Sequence, residues 1–144
     1  MEKLGEWVEE KKTLTRDVLL EIQSLLTQNT LEEENQQGRW RQDSDDILVA
    51  TETELLHNPP NEEFLQNAID QFITFFEEDY NESRTFIHPL IRASIIHFWI
   101  GYLHPFCDGN GRTARALFYW YLMKNGYSLI PYIPISTAIK KSQS

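Results

Sequence analysis

A single cysteine, Cys107, stands among 144 residues, so the chain can close no internal disulfide and can build no zinc site from several thiolates. A disulfide-stapled secreted scaffold is disfavoured, and a reducing cytoplasm is the expected setting. Gly/Ser linkers, internal repeats and low-complexity tracts are lacking too, which predicts one domain over residues 1–144. An apolar run long enough to span a bilayer is missing as well. Residues 1–12 are charged throughout and show neither a signal peptide nor an anchor. The most apolar stretch, 86–103, contains Arg92, His88 and His97, which suits a buried helix rather than a bilayer span. The reading is a soluble, cytoplasmic protein with no membrane partner. Basic charge is also short: 13 Lys and Arg against 22 Asp and Glu leave a net charge of −9. Direct nucleic-acid binding is therefore not expected, because phosphate backbones are held by clustered cations.

Aromatic bulk, by contrast, is plentiful, with 8 Phe, 4 Trp and 6 Tyr to fill a core. Over 15–27, Val18, Leu19, Ile22, Leu25 and Leu26 recur at helical spacing behind Thr13 or Thr15 as N-cap. A polar loop follows over 28–46, holding the cluster Gly38-Arg39-Trp40-Arg41. The short β-branched segments 47–50 and 53–56 predict a hairpin ended by Asn58-Pro59-Pro60 and resting on helices. Phe64, Leu65, Ala68, Ile69, Phe72, Ile73 and Phe76 mark the clearest amphipathic helix. Residues 89–103 are apolar on every face, which predicts a central helix surrounded by others, and a second apolar helix runs over 112–125 to the stop Asn125-Gly126. The tail from Pro131 has room for one more short helix.

Between the last two strong helices lies His104-Pro105-Phe106-Cys107-Asp108-Gly109-Asn110-Gly111-Arg112-Thr113-Ala114-Arg115. Gly109 and Gly111 permit positive φ, so consecutive N–H groups can curl into a nest at a helix N-terminus, where an anion is favoured. Arg112 and Arg115 lie three apart in the first turn and can grip separate phosphoryl groups. Asp108 is the only acid among residues 83–144, against seven Lys and Arg. It would oppose a polyphosphate unless a cation stood between them, which implies Mg²⁺. His104, with a reference pKa near ~6.5, is placed as a general base at the loop's other end. Phe106 reads as a pin into the core. Singly these are ordinary features, since Gly-Asn-Gly is common turn vocabulary; within twelve residues at one helix start they specify an anion site.

The pattern His-x-Phe-x-Asp-Gly-Asn-Gly-Arg-x-x-Arg resembles the active-site motif of the Fic family, whose usual members transfer AMP from ATP to a hydroxyl of a target protein. Every fixed position matches. The similarity extends to Gly38-Arg39-Trp40-Arg41, to His57-Asn58-Pro59-Pro60 and to His88-Pro89-Leu90 through His97, over roughly residues 13–130. It implies an all-α helical bundle of the Fic type with a small β-hairpin flap, about 47–57, beside the motif loop. It further implies a Mg-dependent protein adenylyltransferase with ATP as co-substrate. His104 would deprotonate a Ser, Thr or Tyr hydroxyl of the protein substrate, and Asp108 would hold Mg²⁺. Gly109, Asn110 and Gly111 would form the anion hole, with Arg112 on the β-phosphate and Arg115 on the γ-phosphate. Ile47, Leu48, Val49 and Ala50 would dock the target by strand addition.

Two alternatives stay beside that reading: a Fic-type transferase using another nucleotide or phosphodiester donor, and a catalytically silent nucleotide-binding interaction module. The branch of the family that transfers phosphate departs from Gly-Asn-Gly, which favours AMP here. A zinc hydrolase on His97, His104 and Asp108 fits no justified ligand spacing, and Cys107 has no orienting group to make it a nucleophile. Family members are often held off by Ser/Thr-x-x-x-Glu-Gly/Asn, whose glutamate pairs with the second motif arginine, here Arg115. Thr30-Leu31-Glu32-Glu33-Glu34-Asn35 satisfies that pattern in an acidic run, and we read it as coincidence in a solvated face. Ser136 begins a second near-match spoiled by Lys140. The expectation is that inhibition comes from a separate antitoxin-like partner, or that the chain is a fragment of a longer protein.

Overall fold

Leu4 and Trp7, spaced three apart, bury one side of an eight-residue helix, α1 (Glu2–Glu9), in a segment whose charge density had hidden it from the sequence reading. The structure is a computed structural model that describes residues 2–28, 36–45, 49–50, 55–57, 59–82 and 86–127. Helix α2 (Arg16–Leu26) starts at Thr15, whose hydroxyl accepts the Val18 N–H at 3.2 Å, so Thr15 rather than Thr13 is the cap. A short 3₁₀ turn (Asp43–Asp45) precedes two antiparallel strands, β1 (Val49–Ala50) and β2 (Leu55–His57), with Val49 opposite His57 and Ala50 opposite Leu55. This is the expected hairpin, with its second strand one residue late at the C-terminal end. Ile47 and Leu48 lie outside the described residues.

Asn61 caps α3 (Glu62–Glu77) through the Phe64 N–H at 2.9 Å, and Pro89 opens α4 (Pro89–Leu103) behind the ring nitrogen of His88. Helix α5 (Asn110–Lys124) ends where foreseen. Gly126 at φ +95° lets the Tyr127 N–H reach Leu122 O, a Schellman closure. The sequence suggested a short helix beyond Pro131; that stretch, like 29–35 with its Glu34 match, lies outside the described residues.

The described chain is all-helical apart from the hairpin, as expected from the motif. Helices α4 and α5 share the largest interface, α1 and α2 pack on α5, and α3 packs on α4 and α2. Trp120 on α5 anchors the middle, its ring centroid 5.2 Å from both Trp7 and Phe76. Each large side chain buried there stabilises the fold by roughly 1.5–3 kcal/mol. One expectation needs correction. Helix α4 is not enclosed by the described residues: Ala93, Ile96, Ile100 and Leu103 face the core, whereas Leu90, Ile91 and Tyr102 are exposed and Phe98 is 74% exposed. Its neighbours α5 and α3 flank only part of the cylinder, so uniform hydrophobicity did not mean uniform burial.

Arg92 holds this junction together. Fully buried, it donates to Tyr121 Oη at 3.0 Å and Phe75 O at 3.1 Å, pairs with Glu78 at 3.0 Å, and lies 4.1 Å from the centroid of the Phe75 ring. Removing it strands a buried hydroxyl and a carbonyl, whereas the Glu78 carboxylate is well exposed. Arg92→Ala should lower unfolding free energy by about 3 kcal/mol, and Glu78→Ala by less than about 1 kcal/mol, both read from urea titrations. Equal losses would mean that the ion pair, not the buried hydrogen bonds, carries the junction.

Candidate active site

Helix α4 must stop before Pro105, since proline cannot supply the next N–H. His104 caps it in the left-handed region, φ +48° and ψ +60°, while its own N–H still reaches Ile100 O at 2.9 Å. A non-glycine residue there costs about 1–2 kcal/mol, and His104 is half-buried. Phe106 then enters the core with no exposed surface, its ring stacked 5.4 Å from Trp40. The expected pin is in place. Next, the Asn110 amide clips the loop shut: its Oδ1 accepts the Phe106 N–H at 3.0 Å and its Nδ2 donates to Phe106 O at 2.9 Å. The anion hole was expected to include Asn110; its side chain is spent on this clip, so only its backbone N–H is left for a ligand.

Gly109 stands before α5 at φ +81°, with no side chain to cap the helix. The first-turn N–H groups therefore face the cleft at the positive end of the helix dipole. A Cβ on Gly109 would lie 2.6 Å from Thr27 Cγ2, so the loop is also pressed against the end of α2. Asp108 Oδ1 accepts the Gly109 N–H at 2.8 Å, while Oδ2 lies 3.5 Å from Arg112 Nη2, with 54% of the side chain exposed. Arg112 Nη1 donates to Leu26 O at 2.9 Å. The Arg115 guanidinium lies over Gly111, with Nη1 3.4 Å from where a Cβ would stand.

These groups share one open cleft of about 260 Å³, lined by His104, Cys107, Asp108, Gly109, Asn110, Gly111, Arg112 and Arg115. The motif residues expected to carry chemistry are thus brought together, with Phe106 beneath them in the core. Val49 and Ala50 are described only as backbone in the hairpin. A second, apolar pocket of about 350 Å³ between α1, α2 and α5 shares Arg112 and Arg115. Among the described residues no three His, Cys, Asp or Glu come together as a metal cage. Asp108 alone offers a hard carboxylate oxygen here, which suits an ion that takes its remaining ligands from phosphates and water.

Cys107 is half-buried, and burial, then its hydrogen bond to Asp45, pushes its pKa up to about 11. It stays a thiol at neutral pH and makes a poor nucleophile. Arg39, which pairs with Asp45 through two 3.0 Å bonds, lies beside it and holds that carboxyl well below the usual carboxylate range. Sequence reasoning missed Gln23, a fully buried amide on α2. Its Oε1 accepts the Gly38 N–H at 2.7 Å and its Nε2 donates to Asp108 O at 3.2 Å. The available signal was a polar residue at a core position, four after Leu19 and three before Leu26.

A profile described as the Fic/DOC family matches residues 13–122. A protein adenylyltransferase Fic of Nematostella vectensis is 34% identical over 90 residues, which is 62% of this chain and 19% of that protein. One of Drosophila willistoni is 37% identical over 71 residues, 49% of this chain and 14% of that protein. The matched stretch is thus under a fifth of either relative's length. Among solved structures, a Fic family protein from Desulfovibrio desulfuricans G20 superposes with a TM-score of 0.72 at 26% identity, covering 98% of this chain and 40% of that one. Fic-1 of C. elegans, residues 134–508, gives 0.62 at 26% identity, covering 85% of this chain and 34% of that one.

Two substitutions test the loop geometry. Gly109→Ala should cost about 2 kcal/mol or more from its left-handed backbone and the Thr27 contact, and Thr27→Ser, which removes the offending methyl, should recover part of it. His104→Gly should not lower the melting temperature, because glycine releases the backbone cost at that position. Thermal melts decide both; a large loss in His104→Gly would place the strain elsewhere.

Proposed function

The chain belongs to the Fic/DOC family, and from that premise we propose that it is a protein adenylyltransferase that moves AMP from ATP to a hydroxyl of a target protein and releases pyrophosphate. The observation that carries this reading is the convergence of a base, an acid, an uncapped helix start and two arginines on one cleft. Relatives that bear the name protein adenylyltransferase support it.

In this reading His104 takes the proton from the attacking Ser, Thr or Tyr hydroxyl as its oxygen bonds the α-phosphorus and the bond to the bridging oxygen breaks. His104, in its left-handed cap, lines the same cleft as the helix start and the two arginines. First-turn N–H groups of Gly111 and its neighbours take the phosphate oxygens, acting only where charge builds. Arg112 serves the β-phosphate and Arg115, one turn deeper, the γ-phosphate. Asp108 is the residue to hold Mg²⁺, whose chemistry when bound is to neutralise phosphate charge in the transition state. Backbone groups of β1 and β2 register the target peptide as an added strand. An inhibitory partner, the second class of partner in this reading, would bring a carboxylate to Arg115 from the apolar pocket that Leu4, Trp7, Ile22 and Leu26 wall.

The test is transfer from ATP labelled at the α-phosphorus, with Mg²⁺, to proteins of a cell lysate. Label should appear in protein and should be lost in His104→Ala, which should still bind ATP, because the base touches the acceptor rather than the phosphates. Arg115→Ala should weaken ATP more than ADP in calorimetry, and Asp108→Asn should raise the Mg²⁺ needed. Transfer of a γ-label instead, or undiminished transfer by His104→Ala, would contradict the assignment.

A further inference from the structure

Arg41 is 4% exposed, yet it makes no ion pair among the described residues. Its guanidinium is spent on carbonyls. Nη2 donates to Leu103 O at 2.9 Å and also to Pro60 O, Nε donates to His104 O, and its backbone N–H reaches Pro105 O at 2.9 Å. Leu103 and His104 carry two of the orphan carbonyls at the C-terminal end of α4, where a cation is favoured by the helix dipole. Burial lowers the pKa of Arg41 without discharging it.

Three features make this more than a buried cap. The carbonyls of Leu103, His104 and Pro105 are successive, so the donors of one residue grip the chain on both sides of the left-handed His104. That backbone state costs free energy and persists only where surrounding contacts over-determine it. Pro60, the fourth attachment, lies three residues after β2, at the foot of the hairpin. One planar fork therefore fixes the base and the hairpin's exit strand to each other, a geometry that an ammonium cannot copy.

We propose that Arg41 is a positioning residue: it holds His104 in its left-handed conformation and sets the distance between the imidazole and the target-docking hairpin. The phosphate half of the cleft is held by other groups, the Asn110 clip and Gln23 on the Asp108 carbonyl. Loss of Arg41 should accordingly disturb the base and spare the nucleotide.

The proposal rests on the transferase reading, so its test carries one readout that does not need transfer. In folded Arg41→Lys and Arg41→Met, kcat for AMP transfer should fall about 100-fold, as a misplacement near 1 Å can cause, with KM for ATP unchanged within about twofold. The His104 ring signals in NMR, assigned by their loss in His104→Ala, should move or split in both variants, while those of His97 stay put. A matched core variant at the opposite end of α5 from the loop, Leu122→Met, should shift neither kcat nor the His104 signals. If Arg41→Met does not fold, Arg41→Lys, which keeps the charge and can reach one carbonyl, decides alone. Unmoved His104 signals, or a loss that lies in KM for ATP, would overturn the role. If the wild type transfers nothing, the transferase reading fails and the NMR comparison still decides whether Arg41 holds His104.

Discussion

One side-chain amide closes the loop on which everything else depends. By binding both backbone groups of Phe106, Asn110 fixes the distance between the end of α4 and the start of α5. Five residues are thereby folded into a turn whose outer edge faces the cleft. The clip is buried, so it acts in a low dielectric where each bond is worth more and each loss costs more. Phe106 supplies the counterweight, since its ring cannot leave the core without leaving Trp40 unstacked. Between the two, the positions of Asp108, Gly109 and the first turn of α5 follow with little freedom.

The loop is also held from outside its own sequence. Gln23 and Leu26 of α2 reach Asp108 and Arg112, Arg39 and Trp40 lie along its back, and Arg41 grips its entry. The segment 36–41 thus works as a brace rather than as a connection. This division explains why a stretch with so little regular structure can be packed against the most chemical part of the chain. It also separates tasks in the proposed reaction: α2 and Asn110 hold the side proposed for the phosphates, whereas the cap of α4 holds the proposed base.

Much of this was legible in the residues themselves. The loop's contents were readable because each type has few other reasons to stand at a helix start, and the helices α2 to α5 were readable because their apolar spacing is long and regular. Helix α1 was hidden, since two apolar residues among charges give a weak period, and it forms against α5 rather than by itself. The exposed face of α4 was misjudged because hydrophobicity reports what a side chain prefers, not which neighbours exist. That the Asn110 side chain would clip the loop, leaving only its backbone N–H toward the cleft, is something spacing cannot show. Gln23 and Arg41 act through backbone groups distant in sequence, and a backbone partner leaves no mark in the residue that carries it.

The central claim is that the motif loop is a triphosphate cradle with its base set opposite the α-phosphate. A crystal structure with Mg²⁺ and a non-hydrolysable ATP analogue tests it most directly. The account predicts phosphates over the first turn of α5, the metal at Asp108, the terminal phosphate toward Arg115, and the α-phosphate as the group nearest His104. A nucleotide bound with its terminal phosphate nearest His104, or seated in the apolar pocket beside Trp7, would contradict it.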